Sequence, residues 1–414
     1  MSGYGSIRAP LGPGDFYAMR RARRRARSGL ADGGSPSLAQ VGDHEFLIAI
    51  YDELRAKGGQ APGPDGVTYQ DLGRRETAAV LRDLAATIRD GTYKPGPSRR
   101  VAIPKAGSSK TRTLTIRGVA DRVISKALLE VLSPVFEPSL DDRSHGFRPG
   151  RNTWTLLATL EADMAARSRY VLAIDDVEAA FDNVSIPCLL EDLTDPIEDR
   201  RLHALVEAVI RGSTDLARVA GIDQGDPISP LLLNVRLDAC HDRAFRGRPN
   251  EIPWLRYADN LIYTCEDEAE ATDALDASRE LLDRAGHNLK QQDGPPFDLR
   301  RGECRLLGFA LRWQDDRLQL SPGRTAWTKL QTELESAHED PDPPSMALAI
   351  CRGWIGSLGP AFGPQHAAAM TGRILGIAAA LGFREVAPRE TTLGWCREAH
   401  GRWERTRHER GGGG

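Results

Sequence analysis

Two apolar, aromatic-rich runs in this chain meet at one short acidic break. Ile252-Pro253-Trp254-Leu255 leads into Arg256-Tyr257-Ala258-Asp259-Asn260, and Leu261-Ile262-Tyr263-Thr264-Cys265 leads away. Runs of this kind on either side of a polar turn read as paired strands, and Asp and Asn tolerate the positive φ values a tight hairpin needs. The pattern predicts a β-hairpin that holds a carboxylate at its tip on a rigid sheet. An isolated Asp-Asn pair would equally suit an ordinary surface turn, so the weight falls on what accompanies it.

Upstream, Tyr170-Val171-Leu172-Ala173-Ile174 runs into Asp175-Asp176-Val177-Glu178-Ala179-Ala180-Phe181-Asp182. This is a buried strand that ends in acids. Side chains alternate along a strand, so only one of Asp175 and Asp176 can face the hairpin acid. Between strand and hairpin lies Gly221-Ile222-Asp223-Gln224-Gly225-Asp226-Pro227-Ile228-Ser229-Pro230, followed by an apolar run. Ser229 suits an N-cap and Pro230 the first helical position, which predicts a glycine-bearing loop opening into a buried helix.

In this order, the three segments resemble the polymerase core of reverse transcriptases, most closely the group II intron and group II-like bacterial branch. The branch carries Asp-Ile/Val-x-x-x-Phe-Asp, Gly-x-x-Gln-Gly-x-x-x-Ser-Pro and Tyr-Ala-Asp-Asp, and this chain departs only at the last residue, where Asn260 stands. Gly63 to Thr68, Gly91 to Pro95, Val101 to Lys105, Thr111 to Ile116, Ser144 to Arg151 and Leu307-Gly308-Phe309 extend the resemblance over roughly residues 45 to 315. It implies an α+β fold: a right-hand polymerase with helical fingers, antiparallel-sheet palm and helical thumb. On that plan residues 1–40 are a flexible basic arm, 41–165 fingers, 166–315 palm, 316–410 thumb and 411–414 a disordered tail.

The chemistry can be argued from the residue types. Joining a nucleotide to a 3′-hydroxyl needs one oxygen activated and a triphosphate neutralised, which two divalent ions held by a few carboxylates accomplish. Asp176 and Asp259 are the expected ligands, and the resemblance adds the carbonyl of Val177 and selects Asp176 over Asp175. Asn260 keeps an oxygen donor while removing a charge. The implied cofactor is Mg2+ as two ions, with Mn2+ as the alternative. For the incoming deoxynucleotide, the resemblance implies Lys105 and Arg112 on the triphosphate, Phe181 stacked under the sugar against a 2′-hydroxyl, and Gln224 and Gly225 beneath the nascent pair. Lys290 falls where the family carries a lysine that protonates pyrophosphate. Arg148, Arg151, Tyr257, Leu307, Gly308 and Phe309 are the expected contacts to template and primer.

The net charge of −3 is low for a protein of this kind, but it is unevenly spread. Residues 1–155 hold 25 Lys/Arg and 16 Asp/Glu, a surplus of nine that leaves −12 for the remainder. The basic part coincides with the expected fingers, where template phosphates would lie. Six scattered cysteines without a Cys-x-x-Cys pair read as reduced core residues of a cytoplasmic protein. No apolar run approaches membrane length. Expected partners are an RNA template, a DNA or other primer, deoxynucleotides and a structured noncoding or intron RNA. Intron-associated and antiphage-defence settings both fit, as do a catalytically weak maturase or scaffold and template-independent or protein-primed synthesis. The sequence leaves the oligomeric state open.

Overall fold

The computed structural model describes residues 13–30, 34–57, 61–104, 111–213, 217–248, 251–290 and 294–411. Helices dominate its first part: α1 (Pro13–Ala26), α2 (Leu38–Val41), α3 (His44–Lys57) and α4 (Arg74–Asp90). The ends of α4 follow from local chemistry. Glu76 accepts the Gly73 N–H at 2.9 Å at its start, and Gly91 takes the left-handed conformation (φ 70°) that closes it. The basic stretch expected on a flexible arm is largely helix α1, packed along α3, with Arg23 paired to Glu53 and Glu130. Residues 1–12 of that arm, and 412–414 of the expected tail, lie outside the described residues.

A two-stranded hairpin, β1 (Ser98–Pro104) and β2 (Thr111–Arg117), leads into α5 (Val119–Phe136) and α6 (Thr153–Arg167). Then come β3 (Val171–Asp176), α7 (Ile186–Asp192), α8 (Arg200–Arg211), α9 (Ser229–Leu237), a π-helical turn (Asp238–Asp242) and α10 (Arg243–Arg246). The hairpin read from sequence is β4 (Trp254–Tyr257) with β5 (Asn260–Cys265), followed by α11 (Glu268–Arg284) and β6 (Phe297–Asp298). These strands form one antiparallel sheet in the order β4-β5-β3-β6.

Strand alternation makes this sheet the wall between two cores. Val171, Ala173, Leu261, Tyr263 and Cys265 face one core, shared with α3, α5, α9 and α11. Leu172, Leu255 and Ile262 face the other, shared with α6 and everything beyond β6. That second part comprises the sheet β7 (Cys304–Leu306), β8 (Phe309–Gln314) and β9 (Arg317–Pro322), then helices α12 (Arg324–Ser336), α13 (Pro343–Ser357), α14 (Ala367–Ala380) and α15 (Arg389–Gly411). Trp354 anchors them, its ring centroid 4.7 Å from that of Trp327 with the planes tilted 44°, and its indole donating to the Ala326 carbonyl. With apolar material on both faces, the sheet can present polar groups only at its ends.

Candidate active site

The acids lie at one such end. Asp176 is the last residue of β3 and pairs across the ladder with Asn260, so their side chains share a face; Asp259 precedes Asn260 in the turn. The Val177 N–H donates to the Asp259 carbonyl at 2.9 Å, tying the strand end to the turn. Asp175 points to the opposite face and is buried, its carboxylate accepting the Asp176 N–H at 2.8 Å. The turn itself differs from the expectation. The residue with positive φ is Ala258, at 56°, while Asn260 already belongs to β5 and pairs with Tyr257.

What forces alanine into that conformation is the packing beneath it. A Cβ on Gly146 would lie 2.2 Å from the Ala258 nitrogen, so the segment around Gly146 presses directly on the turn. Arg256, wholly buried, donates to the Ala258 carbonyl (2.9 Å), to Asn234 (2.7 Å) and through two nitrogens to Asp242. Asp242 sits in the π-helical turn, and the Arg256 guanidinium holds it below the usual carboxylate range despite its burial. A buried ion pair with all three guanidinium nitrogens engaged fixes geometry, and π turns recur where helices serve a site.

A cavity of about 470 Å³ opens beside the acids. Arg112, Phe181, Gln224, Asp259 and Lys290 line it, together with Arg100 and Arg218, which sequence reasoning missed. Lys105 lies outside the described residues. Gln224 is placed by its carbonyl, which accepts the Thr115 N–H of β2 at 2.8 Å. The β2 backbone also demands a glycine at 225. At φ 103° its Cβ would sit 3.2 Å from the Thr115 carbonyl, so the crowding comes from the β2 backbone. The helix α9 begins one residue earlier than capping by Ser229 would give: Ile228 is the cap residue, and Asp226 and Ser125 accept its N–H.

Arg117, at the end of β2, was not singled out from sequence. It is buried and pairs with Asp223 (2.6 Å) and Asp226 (2.7 Å), the residues flanking Gln224-Gly225 on either side. It also donates to the Val209 carbonyl at 2.7 Å. Burial still pushes Asp226 above the ordinary carboxylate value.

Lys290 crosses from the segment after α11 to the acids. Its N–H donates to the Asp176 carbonyl at 2.9 Å and its ammonium is paired with Asp176 Oδ2. The other carboxylate oxygen, Asp176 Oδ1, is buried with no hydrogen-bond partner. Among the described residues no group of three or more His, Cys, Asp or Glu could hold a metal. The available donors are two carboxylates, the Asn260 amide oxygen and backbone carbonyls. These hard oxygens, one of them buried and unpartnered, fit a magnesium-type ion that keeps part of its water and takes further ligands from substrate phosphates.

The expected contacts to template and primer divide. Arg148 is turned inward, its guanidinium bonded to Glu137 and to the carbonyls of Leu140, Asp141 and Ser144, which excludes it from an exposed phosphate contact. Burial lowers its pKa. Arg151 is paired with the exposed Asp142. Phe309 is a core residue, because it faces the β8 side that packs on α12 to α15. Leu307 and Gly308 form the β7–β8 turn with φ 48° and 88°, and Tyr257 lies on the same sheet face as Asn260. Positive φ at non-glycine residues is rare, yet Phe147, Ala179, Ala258 and Leu307 all adopt it in segments that were predicted to form the site.

Paired acids at the end of an antiparallel sheet, a cation-lined cavity beside them and flanking helical parts make this the palm of a right-hand polymerase. Residues 103–292, a little under half of the chain, match the family described as Reverse transcriptase (RNA-dependent DNA polymerase), so the chain carries a reverse transcriptase domain. It is 33% identical over 222 residues to Protein YkfC of Escherichia coli strain K12, covering 50% of this chain and 57% of that protein. It is 31% identical over 197 residues to the Group II intron-encoded protein LtrA of Lactococcus lactis subsp. cremoris, covering 46% and 32%. To the Retrovirus-related Pol polyprotein from type-1 retrotransposable element R2 of Popillia japonica it is 28% identical over 232 residues, covering 49% and 32%. The matches thus span between a third and somewhat over half of these relatives' lengths.

Proposed function

We propose that this protein is an RNA-directed DNA polymerase that extends a primer 3′-hydroxyl with deoxynucleotides. The observation that carries the reading is the register of β3 on β5, which puts Asp176 beside the Asp259-Asn260 turn at the mouth of a nucleotide-sized cationic cavity. Asp176, Asp259 and the Val177 carbonyl would hold magnesium, or manganese; when bound, a pair of such ions activates the primer hydroxyl and neutralises the triphosphate. Arg112, Arg100 and Arg218 would orient the phosphates, together with Lys105. Phe181 would stack under the sugar and leave no room for a 2′-hydroxyl. Lys290 would leave Asp176 on substrate entry and donate a proton to the departing pyrophosphate. Gln224 and Gly225 would support the nascent pair, while Arg151, Tyr257 and the Leu307-Gly308 turn would follow the primer and template. A cytoplasmic setting and a structured RNA partner, from an intron or an antiphage system, suit the reading. Among the described residues no helix is long and apolar enough to cross a membrane.

A second reading has its own support. Asn260 in place of an acid and a lysine already on Asp176 both reduce the negative charge available to cations, as in a polymerase-like RNA-binding protein with weak catalysis. Primer extension on RNA and DNA templates with magnesium or manganese tests both. Template-dependent product that disappears with EDTA supports the polymerase. Tight RNA binding with no product under any metal, template or copurified RNA supports the scaffold, and product independent of template supports terminal addition.

A further inference from the structure

Phe147 has a backbone and an exposure that packing does not explain. It is 53% exposed, yet it holds φ at 59°, a conformation that a bulky side chain rarely adopts. It cannot relax, because the chain is clamped on both sides. His145 N–H donates to the Arg256 carbonyl at 2.8 Å, and Asn234 donates to the Gly146 carbonyl at 2.8 Å. Gly146 is pressed on Ala258, and the Arg148 guanidinium is locked among loop carbonyls and Glu137. Strain maintained by surroundings around an exposed ring points to work done by that ring.

The ring has one aromatic neighbour among the described residues. Phe147 meets Phe181 edge-on, with centroids 6.4 Å apart and planes at 70°. Phe181 lines the cavity and Phe147 does not, so any influence of Phe147 on a nucleotide passes through Phe181. Phe181 itself follows a loop with another strained residue, Ala179 at φ 44°, and is only partly buried. An edge-to-face partner restricts which rotamer it occupies.

We propose that Phe147 is a positioning residue for sugar selection, holding the Phe181 ring where it excludes a 2′-hydroxyl. The inference rests on the reading of Phe181 as the surface beneath the incoming sugar. Sugar selection then depends on a pair of rings, one of them set by a strained loop that also supports the catalytic turn. Through Gly146 and Ala258, the same loop couples the position of the gate to the position of Asp259.

The test compares kcat/KM for deoxy- and ribonucleotide insertion in wild type, Phe147→Ala, Phe147→Tyr and Phe181→Ala, with nucleotide competition in the protein–primer–template complex as a readout that needs no turnover. Phe147→Ala is expected to lower the deoxy-to-ribo ratio roughly two- to tenfold, the range an aromatic pair supplies. Phe147→Tyr should stay within about twofold of wild type, since the edge contact survives. Phe147→Gly separates this from a folding role: glycine is at ease at positive φ, so the variant should melt no lower than wild type while losing selectivity. A Phe147→Gly protein that melts several degrees lower, or a Phe147→Ala protein with wild-type selectivity while Phe181→Ala is relaxed, overturns this proposal alone. Unchanged selectivity in Phe181→Ala overturns the gate and this proposal together, and a wild type that neither binds nor inserts nucleotide overturns the polymerase reading beneath them both.

Discussion

At the scale of single residues, the site turns on the charge around Asp176. Asn260 stands directly across the ladder from it, so the substitution changes the field at the acids themselves, and Lys290 already holds one of its oxygens. In the proposed reading, Asp176→Ala and Asp259→Ala should each lower primer extension by about a thousandfold or more, the several kcal/mol that ion-mediated stabilisation supplies. Asn260→Asp sets a third carboxylate beside two others. Without divalent ions their repulsion should lower the melting temperature; with magnesium, activity should equal or exceed wild type and saturate at lower concentration. A magnesium titration of primer extension, beside melting curves in EDTA, measures both effects. An Asn260→Asp protein inactive at every magnesium concentration would show that the amide is needed for its own sake.

At the scale of elements, the nucleotide loop is held by a strand far away in sequence. Arg117 joins the end of β2 to Asp223 and Asp226, and with the Thr115–Gln224 hydrogen bond it fixes the loop beneath the cavity. Arg117→Met should cost about 3–5 kcal/mol, because it strands two buried carboxylates, and surviving protein should show a raised KM for nucleotide. Urea denaturation and steady-state insertion check the two parts; an unchanged midpoint would mean water already screens the pair. The same contrast explains what was legible in the sequence. Strands β3 to β5, α9, α11 and the helices of the last part announce themselves by local periodicity and punctuation. The Arg117–Asp223 pair spans 106 positions, and no local pattern marks which arginine will be buried. Arg148 shows the same limit: the motif that the chain resembles marks an arginine, while only the fold reveals that its donors are taken by the loop around it. Ala258 carries no turn signal, since its positive φ is imposed by Gly146 and Arg256.

At the scale of the whole molecule, both segments that brace the site contain a buried histidine. His145, whose N–H meets the Arg256 carbonyl, directly precedes Gly146, and burial, with Arg151, Arg410, Arg148 and Arg143 around it, pushes its pKa down to about 3. His287 lies just before Asn288 and Lys290, its ring nitrogens buried without partners, and burial with Arg236 nearby pushes it down to about 4. Both are neutral in the fold and would take a proton near pH 6.5 once unfolded. The unfolded chain therefore binds more protons below that pH, so the stability from keeping them neutral is complete above about 6.5 and declines as pH falls toward 4. Between pH 7.5 and 5.5 the two together should remove about 3 kcal/mol. Carboxylates held low by their partners, such as Asp142 and Asp298, lose their contribution only at lower pH, while Asp192, Asp226 and Asp238, raised by burial, gain stability on protonation and work against the histidines. Urea midpoints across it should fall for wild type and fall about half as steeply for His287→Leu. A flat wild-type profile from 7.5 to 5.5 would mean that both rings accept a proton in place, and that the loops carrying Gly146 and Lys290 open to water without the rest of the fold.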